Sequence, residues 1–469
     1  MALWTEWMKC VHVLCGACRR HRTALWMMVV LVAWVARPDL LGVTSFVRAS
    51  FLEPATYHPL LGFFHSSALP LAPLLAAWVK LAMSLFSPVS EGGYVVFVAD
   101  GLKVGKEGRK MPAVKCLHQE SANNSKAEYI MGHSFQVLSL LVADAAGQVV
   151  AVPLLARICE GVVWKRSGPR QSQLAKLAGM FLEVTGLATV RGLLVADAYY
   201  ASRTVIDPLL TQGHQLVSRV RKNAVAFEPA PVPKRRGRGR PKKYGRKVLL
   251  CDLFKAWQSF CEAPSPVYGE QDVTIQYRSV DLLWRPVGRL IRFVLVKHPT
   301  RGNLILLCTA LELDPLAVIK LYGLRFKIEV SFRQALHTLG GYAYHFWMMA
   351  MTPLRRGDGD QHVERRSFLY QQYVARKLDA YHRYVQLACI VQGLLQHLAI
   401  NFAPTVWATF RGWLRTMKTA LIPSEMVTAH ALRACLPQFL LDASSDRELK
   451  KFILDRADYD RIPGFSMAA

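Results

Sequence analysis

The chain has 469 residues, of which 52% are hydrophobic and 20% charged, and this balance excludes a wholly disordered protein. Its length gives room for about three domains. Lysine and arginine number 59 against 33 aspartate and glutamate residues, so the formal net charge is +26. The positive side chains repel one another, and binding to a polyanion reduces this repulsion. The charge therefore predicts nucleic acid or an anionic membrane as the partner, and it disfavours an ordinary small-molecule enzyme.

Residues 1–90 combine apolar runs at helical spacing with frequent prolines, which predicts a helical module. The ten cysteines of the chain are too dispersed for a disulfide framework, so we expect them to be reduced. Three thiols near the start are closely spaced, with two histidines beside them: Cys10, Cys15, Cys18, His12 and His21. Such a group either holds a tetrahedral metal ion or consists of small thiols on an apolar helix.

Residues 24–36 form an apolar run that follows several arginines. The run is too short to cross a bilayer as a helix, which takes about 20 apolar residues. It favours a buried helix, and the alternative is the core of a targeting signal in an exported or membrane-attached protein. We expect no membrane partner.

From residue 93 onward the pattern alternates between short apolar runs and a helical period. The expected elements are strands at 94–98, 135–142, 149–155 and 192–196 and a helix at 171–185. This alternation predicts an α/β domain. Residues 222–312 instead begin with a basic run, which is followed by segments in which apolar and polar residues alternate. This pattern predicts an inserted antiparallel sheet. The helical period returns from residue 315.

Three acids fall in structured settings. Asp100 and Asp197 each follow a predicted strand, and Glu329 lies on a predicted helix. Carboxylates at strand ends point into the crevice at the carboxyl edge of an open sheet, where ligands bind. Three hard oxygen ligands suit Mg²⁺ or Mn²⁺, and a pair of such ions would serve phosphoryl transfer.

The helix that carries Glu329 places further polar side chains on one face. Tyr322, Arg325, Glu329 and Arg333 step by 3, 4 and 4 residues and therefore share that face. If the face meets a phosphate chain, Glu329 would hold a cation while Arg325 and Tyr322 hold phosphate oxygens. The alternative is an ordinary surface salt bridge, with the two aspartates as turn caps.

Three sequence blocks carry a resemblance: FVADGLKVGKEGRKMPAVK at 97–115, LLVADAYYASRTV at 193–205 and LYGLRFKIEVSFRQALHTLGGYAYHFW at 321–347. Together they resemble bacterial insertion-sequence transposases of the DDE type. The third block is similar to the Y-x2-R-x3-E-x6-K signature of the cut-and-paste branch with a β insertion. Leu336 stands at the position of the signature lysine, whose phosphate contact is missing here or supplied by Arg333 or His337.

The resemblance implies an α/β fold with an RNase H-like catalytic core, in which Asp100, Asp197 and Glu329 bind two Mg²⁺ ions, with Mn²⁺ as a substitute. It implies nicking of DNA at the element ends by water and attack of the freed 3′-hydroxyl on target DNA. The expected protein is a homodimer in the synaptic complex and is cytoplasmic and nucleoid-associated in a bacterium. The domains would be a helical DNA-binding domain at 1–90, the core at 91–221 and 315–355, the basic β insertion at 222–314 and a helical C-terminal region at 356–469.

A dense basic run lies in the insertion, where nine of the fourteen residues from Lys234 to Lys247 are Lys or Arg. Its predicted DNA contacts are Arg235, Arg236, Arg238, Arg240, Lys242 and Lys243. The R-G-R-P sequence at 238–241 resembles an AT-hook core, which enters a narrow A·T minor groove. A solvated charge run is the alternative.

A second basic group, Lys103, Lys106, Arg109 and Lys110, follows the first acid and would track a DNA strand or belong to a solvated hairpin. Trp284 in the insertion would stack on an extruded base, as in related enzymes, or pack in a sheet core. A second candidate function is a catalytically inactive DNA-binding relic that recognises element ends and represses transposition.

Overall fold

The structure is a computed structural model that describes residues 2–119, 127–165, 172–231, 242–442 and 446–461. The chain divides into two compact units. Unit 1 comprises Met1–Ser87, Gly101–Arg170 and Val330–Ala469, and unit 2 comprises Pro88–Asp100 and Gln171–Glu329. The N-terminal helices belong to the same unit as the C-terminal helices.

The described α-helices are numbered in chain order. They are α1 (Ala2–Cys15), α2 (His21–Ala36), α3 (Thr44–Ala49), α4 (Tyr57–Phe64), α5 (Leu71–Leu85), α6 (Gln173–Ala188), α7 (Arg203–Thr211), α8 (Pro315–Leu324), α9 (Lys327–His337), α10 (Phe368–Asn401), α11 (Ala403–Thr409), α12 (Glu425–Leu441) and α13 (Arg447–Leu454). Both ends of the chain are thus helical, as the sequence pattern predicts.

The strands are numbered in the same way. They are β1 (Ser90–Glu91), β2 (Tyr94–Gly105), β3 (Lys115–His118), β4 (Tyr129–Ala143), β5 (Val149–Ile158), β6 (Val162–Val163), β7 (Gly192–Val195), β8 (Gln215–Arg219), β9 (Val225–Pro229), β10 (Tyr244–Leu249), β11 (Cys261–Pro264), β12 (Thr274–Trp284), β13 (Arg289–His298), β14 (Gly302–Cys308) and β15 (Gln361–His362). Strands β9 to β14 fall within the predicted β-rich insertion.

Unit 2 is built on a sheet that is parallel on one side and antiparallel on the other. The first part of β2 pairs in parallel with β7, and β7 pairs in parallel with β8. The sheet continues from β8 through β14, β13, β12 and β9 to β10 in antiparallel pairs. All four residues of β7 are buried, as expected for a parallel strand covered on both faces. Helix α7 makes the crossover from β7 to β8 that a parallel pair requires.

Unit 1 contains an antiparallel group, in which β4 pairs with both β3 and β5. Helices α5 and α10 pack on β5: the indole of Trp78 donates a hydrogen bond to the carbonyl of Pro153 at 3.0 Å, and the amide of Gln386 donates to Leu154 at 2.9 Å. The parallel strands of unit 2 with their crossover helix, and the helices of both termini, are consistent with an RNase H-like α/β fold. The predicted fold class is confirmed.

Every residue from Ala24 to Val35 of α2 is buried in unit 1, which agrees with the buried-helix interpretation of the apolar run. Within the described ranges, no single helix has both the length and the hydropathy to cross a bilayer, while α10 and α11 reach them only as a pair bent by 99°.

Gly393 of α10 tests the packing of unit 1. A Cβ at this position would clash with the buried ring of Trp78, which is fixed by its hydrogen bond to Pro153. We expect Gly393→Ala to lower the free energy of unfolding by about 1–3 kcal/mol through overpacking, net of helix propensity. The matched control is Gly179→Ala in α6, where the added methyl meets open space. Equal unfolding midpoints for the two variants in a denaturant titration would contradict the packing described.

Candidate functional site

The first acid, Asp100, lies in the middle of a strand. The pairing of β2 with β7 ends at Val98, which is opposite Val195, but β2 itself continues to Gly105. The expectation that Asp100 ends a strand is therefore wrong. The pairing with β7 ends two residues before Asp100, but the strand continues beyond it. Its carboxylate is half-buried.

The second acid, Asp197, follows the last residue of β7 by two positions. It begins a short 3₁₀ turn, and its Oδ1 accepts a hydrogen bond from the backbone N–H of Tyr199 at 2.9 Å. The hydroxyl of Ser218 in β8 donates to the backbone carbonyl of Asp197 at 2.6 Å. Asp197 is thus a turn cap that is also held at the carboxyl ends of two parallel strands.

The segment that carries the third acid is not one continuous helix. Helix α8 ends at Leu324 and α9 begins at Lys327, with Arg325 and Phe326 between them. The N–H of Glu329 bonds to the carbonyl of Phe326 at 3.0 Å, three residues back, so the chain here is wound more tightly than an α-helix. The prediction that the four polar residues share one helix face assumed an unbroken helix. That assumption is wrong, because the helix is interrupted at Arg325 and Phe326.

Arg325 nevertheless joins two of the acids. Its Nη1 donates to Oδ2 of Asp100 at 2.8 Å, and its Nη2 donates to Oε1 of Glu329 at 2.8 Å. Burial opposes the charge of the guanidinium, but the neighbouring Asp100, Tyr322 and Glu329 raise the pKa of Arg325 above its usual value. Two carboxylates 229 residues apart in sequence are therefore held by one positive charge.

Tyr322 connects this group with Asp197. Burial raises the pKa of the Tyr322 phenol, the charges of Arg325 and Arg219 lower it, and the charge of Asp197 raises it. The phenol therefore stays protonated at neutral pH and lies within electrostatic range of all three. Arg219, the last residue of β8, was missed in the sequence analysis. The sequence feature that could have revealed Arg219 is its position as a basic residue at the end of the third parallel strand, at the same sheet edge as Asp197.

The donor groups of this cluster fit a hard divalent cation. Asp100, Asp197 and Glu329 offer carboxylate oxygens, which suit Mg²⁺ or Mn²⁺, and a positive charge already lies between two of them. The oxygen atoms of the three carboxylates do not all lie within 4.8 Å of one another. Among the described residues, a group of metal-ligating side chains with that spacing lies in unit 1 instead.

Lys106 was predicted to contact DNA, and the structure corrects this. Its side chain is buried in unit 1, where the ammonium donates to the carbonyls of Tyr342 and Tyr344 and lies 5.2 Å from the ring centre of Tyr381. Burial lowers the pKa of Lys106 to about 7. A side chain with these partners cannot present its charge to a phosphate.

The other predicted basic contacts are placed as follows. In unit 1, Lys103 donates to the carbonyl of His118, Arg109 to that of Leu354 and Lys110 to that of Met349, all at the protein surface. Arg333 is exposed on α9. In the insertion, Lys242 and Lys243 are exposed, whereas Arg235, Arg236, Arg238 and Arg240 lie outside the described residues.

Trp284 ends β12 and is buried, with 7% of its surface exposed. A ring that stacks on an extruded base has to be open to that base. The observed burial favours the alternative interpretation, in which Trp284 belongs to the sheet core.

Parallel strands that carry acids at one sheet edge, with an arginine and a tyrosine beside them, define the class of RNase H-like nucleases. The comparison of the sequence with protein families agrees: the DDE superfamily endonuclease family matches residues 19–278. This is more than half of the chain, and the chain therefore belongs to the DDE superfamily endonucleases, the nuclease and transposase class that acts on DNA. No curated protein matches the sequence.

The family match includes Asp100 and Asp197 and ends before Glu329. The assignment of Glu329 to the same site consequently rests on its contact with Arg325 and on the resemblance of the third sequence block.

Replacing Arg325 tests the charge balance of the site. In Arg325→Met the carboxylates of Asp100 and Glu329 lose their shared donor, and we expect the free energy of unfolding at pH 7 to fall by about 1–3 kcal/mol. Mn²⁺ should raise the melting temperature of this variant more than that of the wild type, because the cation replaces the lost charge. Arg203→Met is the control, since its pair with Asp207 is exposed and contributes at most about 1 kcal/mol. Equal responses of the variant and the wild type to Mn²⁺ would contradict the account.

Proposed function

We propose that this protein is a transposase, which cuts DNA at the ends of a mobile element and joins the freed 3′-hydroxyl ends to target DNA. The observation that carries the proposal is the shared guanidinium of Arg325, which collects Asp100 and Glu329 in a chain of the DDE superfamily endonucleases. The excess of 26 positive charges supports a polyanionic substrate.

In this proposal Asp100, Asp197 and Glu329 hold two Mg²⁺ ions, for which Mn²⁺ substitutes. Such ions, when bound, supply an activated water and stabilise the leaving oxygen of an in-line displacement. Arg325 then leaves the carboxylates and, with the neutral phenol of Tyr322, donates hydrogen bonds to phosphate oxygens of the DNA. Arg325 already contacts two of the three acids, each at 2.8 Å.

DNA outside the site would be held by exposed cations. Lys103, Arg109 and Lys110 of unit 1 and the basic run of the insertion are the candidates, and their loss should weaken binding uniformly across sequences. Cutting two element ends in register calls for two active sites, which is why we propose a homodimer in the complex with DNA. We further propose that the protein works in the bacterial cytoplasm, at the nucleoid.

A DNA-binding relic without catalysis is the second candidate function. The observation that favours it is Leu336, which stands where the resembled signature has a phosphate-binding lysine. Against it stands the presence of all three acids and of Arg325 and Tyr322 at their signature positions.

Cleavage of DNA that carries the gene's own flanking repeats tests the proposal. Asp100→Ala, Asp197→Ala and Glu329→Ala should each abolish Mg²⁺-dependent cleavage at the repeat boundary, because each removes a ligand of the ions, while binding of the element ends is kept. Asp207→Ala, which removes a surface acid of α7, is the control and should cut like the wild type.

Two outcomes would redirect the proposal. Cleavage that survives Asp100→Ala or Glu329→Ala contradicts the assignment of the metal site. End binding by the wild type without cleavage, under either Mg²⁺ or Mn²⁺, supports the relic.

A further inference from the structure

Unit 1 contains a second group of metal-ligating side chains. A carboxylate, a thiol and an imidazole, from Glu6, Cys10 and His397, have their donor atoms all within 4.8 Å of one another. All three residues belong to unit 1, whereas the acids of the proposed active site belong to unit 2. The proposed transposase function makes no use of this group.

Two helices bring the group together. Glu6 and Cys10 are four residues apart on α1 and therefore lie on one face, and His397 comes from the last turns of α10. Cys10 is 3% exposed and His397 6% exposed, while the carboxylate of Glu6 lies at the edge of the group, 19% exposed. The group thus opens to solvent on the side of Glu6, which leaves a path for an ion.

The imidazole has a polar partner at each ring nitrogen. Nε2 of His397 lies 3.3 Å from Oε1 of Glu6, and Nδ1 lies 2.9 Å from the side-chain nitrogen of Asn401. When Nε2 binds a metal, Nδ1 carries the ring proton and needs an acceptor. The side-chain oxygen of Asn401 supplies that acceptor once the amide turns over.

The protonation states suit metal binding. Burial lowers the pKa of His397 below its usual value, against the opposing effect of Glu6, so the ring is neutral at pH 7. Burial opposes ionisation of Glu6, but its hydrogen bonds with His397 and Lys9 lower its pKa overall, so it is a carboxylate. Lys9 contacts the other oxygen of Glu6 at 3.2 Å and is 69% exposed, so it can turn into solvent.

We propose that Glu6, Cys10 and His397 bind one zinc ion, with a water molecule as the fourth ligand. A thiolate and an imidazole select Zn²⁺ over Mg²⁺, which prefers an all-oxygen shell. The ion would connect α1 to α10, which are about 390 residues apart in the chain, and would stabilise unit 1 because the unfolded chain does not preform the site.

The closely spaced thiols and histidines of the sequence analysis do not form this site together. His12 pairs with Asp446 at 2.9 Å, and His21 pairs with Glu448 at 3.1 Å. The thiol of Cys15 lies 3.9 Å from the carbonyl of Ala24. Of the five residues, Cys10 alone belongs to the described group, and its partners come from elsewhere in the chain.

Metal binding by the purified full-length protein tests the proposal. After chelation, the wild type should take up about one Zn²⁺ per chain, and Co²⁺ in its place should give the near-ultraviolet charge-transfer band of a cobalt–thiolate bond. Cys10→Ser should lose the band and the zinc. Cys389→Ser is the matched control, since Cys389 is an equally buried thiol on the same helix as His397 and should leave both unchanged.

A second variant keeps the test valid if Cys10→Ser fails to fold. Asn401→Ala leaves all three ligands in place and should weaken zinc affinity about 10–100-fold by freeing the imidazole. Zinc should also raise the melting temperature of the wild type and of Cys389→Ser. Asp100→Ala should retain its zinc, so that failure of the zinc site and failure of the transposase proposal are distinguishable.

The proposal is overturned if wild-type protein gives no cobalt–thiolate band, or if Cys10→Ser binds zinc as the wild type does. In the first case the group is a hydrogen bond from neutral His397 to Glu6 that joins two helices. In the second case the zinc is held by other residues.

Discussion

Asp100 and Glu329 share one guanidinium, and the arrangement of the site in unit 2 depends on that ion pair. Carboxylates close together repel each other and take up protons unless a positive charge lies between them. Arg325 supplies this charge and is itself held in the charged state by the acids. The same contact connects the short segment between α8 and α9 to β2.

The parallel strands explain why such distant residues can meet. Because β2, β7 and β8 run in the same direction, the ends of β7 and β8 lie at one edge, and Asp197 and Arg219 are found there. Tyr322 is in electrostatic contact with both. A nuclease site needs carboxylates to bind metal ions and cationic side chains to bind phosphate. The fold brings both kinds of side chain together, with Arg325 paired to Asp100 and Glu329. In the proposed function, metal ions and DNA exchange partners with these pairs.

The sequence was sufficient for features that depend on local pattern. Apolar runs located β4, β5 and β7 and thereby placed Asp197 just beyond the end of a strand. Contacts across the chain were not accessible in this way. No proline marks the interruption at Arg325, a lysine in sequence shows its charge and not the burial found for Lys106, and the spacing of Cys10 gives no hint of His397. These features are determined by tertiary packing, which overrides local pattern.

In the proposed function, divalent ions replace Arg325 between the acids of unit 2. Anomalous diffraction from crystals grown with Mn²⁺ and an element-end DNA can test this replacement. We expect manganese peaks at the carboxylates of Asp100, Asp197 and Glu329, with the guanidinium of Arg325 moved onto a phosphate. Manganese bound elsewhere, with Arg325 still joining Asp100 to Glu329 in the presence of DNA, would show that the replacement does not occur.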